Sequence, residues 1–89
     1  MKTEKEVREI IQKFNNMIDE FMSEKLPELL KAEGIPVVNG KVTLYYWFRV
    51  QEIIRKQNFD VIGGAIQKVL RNAGFDVKMD MQSHKLELY

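Results

Sequence analysis

The chain has no cysteine, which excludes disulfides and thiolate chemistry and suits a reducing compartment. Its single histidine, His84, has no ligand set around it for zinc and is expected on the surface. No apolar run approaches the roughly 20 residues that span a bilayer. Met1-Lys-Thr-Glu-Lys-Glu6 alternates charge where a signal peptide would be apolar, so a cytoplasmic location with no membrane segment is the expectation. Gly63-Gly64 is followed by neither a Gly-Lys-Ser/Thr run nor a third glycine suited to a dinucleotide, so no cofactor is expected. Linkers, repeats and low-complexity tracts are absent too. The net charge of +1 selects no partner by itself.

What is there fits one small soluble domain of 89 residues, 45% hydrophobic and 30% charged. Charge is unevenly placed. Residues 1–40 hold six Lys/Arg against eight Asp/Glu, and residues 41–89 hold eight against five, so the second half has the sign that suits phosphates.

Glu4 to Met22 has the strongest helical pattern. Val7, Ile10, Phe14, Met17 and Phe21 follow the 3-4 spacing of a heptad seam, and Ile11, Ile18 and Met22 widen it. So wide a stripe needs a large surface to cover it, either the rest of the domain or a second copy; it is more than a domain of this size readily covers, so a homodimer through this seam is the expectation. Pro27 predicts a kink or a break across Ser23–Pro27. A short helix over 28–33 ends at Gly34, and Asn39-Gly40 between β-branched residues signals a type I′ hairpin. The aromatic run Tyr45-Tyr46-Trp47 favours a strand through about Tyr45 and a helix from Trp47.

Two amphipathic runs follow, 48–57 and 61–73, split at Asn58-Phe59-Asp60. In the second, Ile62, Ala65, Ile66, Val69, Leu70 and Ala73 are expected inside, with Gly63, Gly64, Gln67, Lys68 and Arg71 outside. Phe75–Met81 and Lys85–Tyr89 then alternate apolar and polar about a Gln82-Ser83-His84 turn, as a hairpin does. The fold expected is α+β: a long amino-terminal helix (residues 1–26) joined to a helix-turn-helix with a carboxy-terminal β-hairpin (residues 28–89).

This order of elements resembles the winged-helix DNA-binding modules over roughly residues 28–89. The resemblance implies that the 61–73 helix enters a major groove. Gln67 would read an adenine edge, Lys68 or Arg71 a guanine or phosphate, and Gly64 would let a phosphate approach closely. Lys78 and Lys85 on the wing would touch backbone phosphates, and Arg49, beside the Tyr45/Phe48 pair, would extend the nucleic-acid surface. The function implied is DNA binding by a small transcriptional or mobile-element regulator, acting as a homodimer. The alternative is a protein-binding inhibitor or adaptor that uses the amino-terminal stripe, the Tyr45/Phe48 aromatic patch or a hairpin edge. A continuous basic stripe would favour DNA, and acidic interruption would favour protein. Asp76-Val77-Lys78 matches a nuclease strand motif but lacks an acidic partner on a neighbouring strand, so an enzyme is not expected.

Overall fold

Thr3 starts the first helix. In the computed structural model, which describes residues 3–89, its hydroxyl accepts the Glu6 backbone N–H at 3.2 Å while the Glu6 carboxylate accepts the Thr3 N–H, a capping box. Helix α1 (Glu4–Glu20) passes into a π turn (Phe21–Lys25) and then helix α2 (Leu26–Ala32), giving one helical rod of 29 residues.

The π turn explains why the rod does not break. Buried Val7, Ile11, Phe14, Ile18 and Phe21 recur every three or four residues, but Leu26 comes five after Phe21. A regular α-helix would carry Leu26 about 100° off the stripe. The Leu26 N–H instead reaches back to the Phe21 carbonyl, and this wider turn absorbs the extra residue. Pro27 falls in the first turn beyond it, where a missing N–H costs least, so the interruption expected at Ser23–Pro27 takes the form of a π turn and not of a break. Gly34, at φ +72°, ends the rod: the Ile35 N–H bonds to the Leu30 carbonyl at 2.9 Å and the Gly34 N–H to Lys31 at 3.1 Å.

Strands β1 (Val37–Val38) and β2 (Lys41–Val42) pair antiparallel about Asn39-Gly40, both at positive φ, as the dipeptide signalled. The strand expected through Tyr45 stops at Val42. Leu44–Tyr46 forms a 3₁₀ turn instead, with the Tyr46 N–H on the Thr43 carbonyl at 3.1 Å, and leads into α3 (Trp47–Arg55). A turn at Asn58 (φ +60°) precedes α4 (Phe59–Asn72). Strands β3 (Val77–Met79) and β4 (Leu86–Leu88) close the chain, with Met79 opposite Leu86. The fold is α+β, and helices followed by a small hairpin are compatible with a winged-helix-like arrangement. The two hairpins form separate two-stranded sheets.

One core joins all these elements. The rod's apolar stripe is covered by Val50, Phe59, Leu70, Val77 and Leu86, and Phe21 meets Phe59 edge-on at 5.5 Å between ring centroids. This corrects the expected partner seam. Val7, Phe14 and Phe21 are buried within their own chain and Ile10 is partly covered; of that seam only Met17 is exposed. The second half of the chain folds back along the rod and takes the place assigned to a second copy.

Asn15 fixes the hairpin to the rod. Its side-chain amide donates to the Leu86 carbonyl at 2.9 Å and accepts the Leu86 N–H at 2.8 Å, so it behaves like one residue of an added strand. The molecule is long, 48 × 19 × 18 Å, with a radius of gyration of 15.4 Å against about 12 Å for a compact chain of this length. Its surface of 6848 Å² likewise exceeds the about 5,400 Å² expected for its mass.

Candidate functional site

The residues assigned to a DNA surface do not share one environment. Helix α4 is rotated from its expected orientation, and Phe59, Gly63, Ile66 and Leu70 turn inward. The reason lies in Gly63. A Cβ there would sit 2.6 Å from Met79 Cε and 3.0 Å from Phe14 Cζ, so the missing side chain is what lets β3 and the rod approach α4. Gly64 borders open space and keeps the accessibility expected of it.

Gln67, assigned to a base edge, donates instead to the Val77 carbonyl at 3.0 Å and ties α4 to β3. Arg49 pairs with Glu33, and Lys85 pairs with Asp19 on the rod. Lys78 lies over the Tyr89 ring, 4.8 Å from its centroid. The Tyr89 phenol in turn donates to Glu87 at 2.7 Å, and that carboxylate raises the phenol's pKa above its ordinary value. Lys68 and Arg71 are exposed and have no ion-pair partner among the described residues. The expected stripe is therefore interrupted by Glu33 and Asp19.

The rotation of α4 also brings apolar groups to its outer side. Val69, Ala65 and Ala73, expected inside, are exposed, and Ile62 is only partly covered. Val61 joins them. The signal was present in the sequence: at about 100° per residue the apolar side chains of α4, from Val61 round to Leu70, span about 180° of its circumference, more than one inner face covers.

The most accessible apolar cluster lies elsewhere. Leu44, Tyr45 and Phe48 are 87%, 86% and 81% exposed. They project from the 3₁₀ turn and the first turn of α3, while Val50 and Tyr46 turn inward and hold this segment to the core. Tyr45 and Tyr46 pack edge-on at 4.9 Å, so the ridge is backed by a covered ring. Val37 and Val38 add exposed apolar surface on the hairpin just before it in the chain. Tyr45 and Phe48 were assigned to a partner patch from the sequence; Leu44 was missed, because a strand ending near Tyr45 would place it differently.

A concavity of about 690 Å³ separates the rod from the β3–β4 loop, with Ile18, Met22, Trp47, Ile54 and Met81 along it and the Asp19–Lys85 pair at its rim. Within that loop the Asp80 carboxylate accepts the Gln82 N–H at 2.9 Å, which lowers its pKa below the usual 3.8. No helix of the described residues is long and apolar enough to cross a membrane. Comparison with protein families, curated proteins and solved structures finds no match to this chain.

Proposed function

We propose that this protein is a protein-binding adaptor or inhibitor module whose contact surface is the Leu44–Tyr45–Phe48 ridge. The observation that carries this reading is the exposure of those three side chains, each above 80%, on a segment anchored by Val50 and Tyr46. Aromatic side chains lose little conformational freedom on binding and dominate interface cores. A convex ridge fits an apolar groove. Lys41, Arg55 and Lys56 lie exposed near it in the chain against Glu52 alone, Glu33 being paired with Arg49, which suits a groove with an acidic rim.

The duplex-binding reading keeps a narrower basis. It rests on the helix–turn–helix–hairpin order and on Lys68 and Arg71, which have no ion-pair partner among the described residues and lie where the winged-helix resemblance would place recognition. The two readings separate in one experiment. A photo-crosslinking residue at position 48, with a control at Glu9, should label a discrete protein only from position 48. The purified partner should then bind wild type and lose Phe48→Ser by more than about tenfold. Duplex DNA binding that is lost in Lys68→Glu and Arg71→Glu but kept in Phe48→Ser would overturn the ridge and support DNA. Equal labelling from both positions would also overturn it.

A further inference from the structure

We propose that the concavity between the rod and the β3–β4 loop binds a small, uncharged, planar heteroaromatic molecule that carries a hydrogen-bond donor and acceptor side by side. At about 690 Å³ it lies within the range of about 300–1,000 Å³ typical of small-molecule sites. None of Leu44, Tyr45 and Phe48 lines it, so the site stands apart from the proposed ridge. Its walls are largely apolar. Trp47 and Met22 are 49% and 43% exposed and Met81 is 85% exposed, so all three have area left to cover. An indole stacks on a planar ring, and methionine sulfur packs well against a ring edge.

Charge argues against an ionic ligand. Asp19 and Lys85 neutralise each other at the rim, and Arg55 and Asp60 give one charge of each sign to a smaller adjoining recess. An ionic group entering here would have to break the Asp19–Lys85 pair or stay unpaired on apolar walls. Hydrogen bonding is supplied instead by Gln51 on α3 and His84 on the loop, which are half-buried and line both the concavity and the recess. Neither side chain has a hydrogen-bond partner among the described residues. A glutamine amide offers an acceptor and donors on one edge, and pairs side by side with an adjacent donor and acceptor, as it does on adenine.

The loop wall is built in advance. The Asp80 carboxylate accepts the Gln82 N–H at 2.9 Å, the Ser83 hydroxyl accepts the Lys85 N–H at 3.2 Å, and the His84 N–H donates to the Asp80 carbonyl at 2.8 Å. Lys85 then ties the loop to Asp19 on the rod. His84 is held at φ +61°, a left-handed conformation that glycine adopts at lower cost. A turn alone does not require an imidazole there. A wall fixed before the ligand arrives spares the cost of ordering it on binding.

Trp47 is the only tryptophan, so its indole N–H resonance reports on the concavity in the full chain. Adenine and nicotinamide, both uncharged planar heteroaromatics with a donor–acceptor edge, serve as probes, with benzoate as the charged control and toluene as the control without that edge. At least one probe should shift the resonance saturably with Kd below about 300 µM, and both controls should bind at least about tenfold more weakly. Gln51→Leu, which removes the amide edge from a half-buried position, should weaken that probe by more than about tenfold with unchanged circular dichroism. His84→Gly should weaken it without lowering Tm, since glycine suits the backbone there, and this arm decides if Gln51→Leu fails to fold. Phe48→Ser should bind the probe as wild type does, whatever becomes of the ridge. Neither probe saturating below about 300 µM, controls that bind as tightly, undiminished affinity in a folded Gln51→Leu or in His84→Gly, or a loss in Phe48→Ser would each overturn the proposal.

Discussion

Adjacent glycines in α4 should respond with opposite sign to the same substitution. Alanine is favoured over glycine in a helix interior by about 1 kcal/mol. At Gly64 an added Cβ meets nothing within 4 Å, so Gly64→Ala should gain most of that, about 0.5–1 kcal/mol. At Gly63 the same Cβ lies 2.6 Å from Met79 Cε and 3.0 and 3.2 Å from two atoms of the Phe14 ring. The methionine methyl can swing away, but Phe14 is buried between the rod and α4 and can give only a few tenths of an ångström. Overpacking of this kind costs about 1–3 kcal/mol, which offsets or exceeds the propensity gain. Gly64→Ala should therefore be more stable than Gly63→Ala by at least about 1 kcal/mol, or about 4–8 °C in Tm for a domain of this size. Urea and thermal unfolding of both variants measure the difference directly. If Gly63→Ala is as stable as Gly64→Ala, the inward rotation of α4 is wrong, and the face first read as wet from the sequence is the right one.

Leu70 is fully buried, so Leu70→Ala should cost about 2–5 kcal/mol in denaturant unfolding; a loss under about 1 kcal/mol would contradict its place in the core. Asn15→Ala leaves both the N–H and the C=O of Leu86 without a partner and should cost about 1–3 kcal/mol, with faster amide exchange at Leu86 as a local readout. The Asp80 carboxyl has a depressed pKa in the folded state, so its stabilising contribution is present at neutral pH and is lost as pH falls below 3.8 towards the folded value. A carboxyl-carbon NMR titration should place Asp80 below that ordinary value in the wild type, and a midpoint at or above it would refute the turn geometry.

Local features of the fold were legible because local chemistry decides them. The hairpin at Asn39-Gly40 follows from two residues that tolerate positive φ, and the rod's end at Gly34 follows for the same reason. Periodicity located the rod's apolar side as far as Phe21 but centred the seam on Ile10 and Met17, where the structure buries Ile11 and Ile18. Past that point the period slips by one residue, which a regular helix cannot follow, whereas the interruption expected there rested on Pro27 alone. Only the π turn reconciles them, and what favours that turn is the burial of Leu26 and Leu30, a tertiary gain.

Residue composition and spacing by themselves determined an α+β chain with a long amphipathic first helix, two later helices and a terminal hairpin. They also placed Tyr45 and Phe48 on a possible contact surface. Tertiary structure alone decided which apolar face each helix buries. The rod carries more apolar surface than one neighbour needs, and the apolar arc of α4 is wider than the face it buries, so periodicity leaves more than one rotation open. Contact at Gly63 with Phe14 and Met79 selects one of them. That selection sends Gln67 to the Val77 carbonyl and turns Val61 and Val69 outward. The pairing of Arg49 with Glu33 and of Lys85 with Asp19 joins residues 16 and 66 positions apart, a distance at which sequence patterns hold no information about which charges meet.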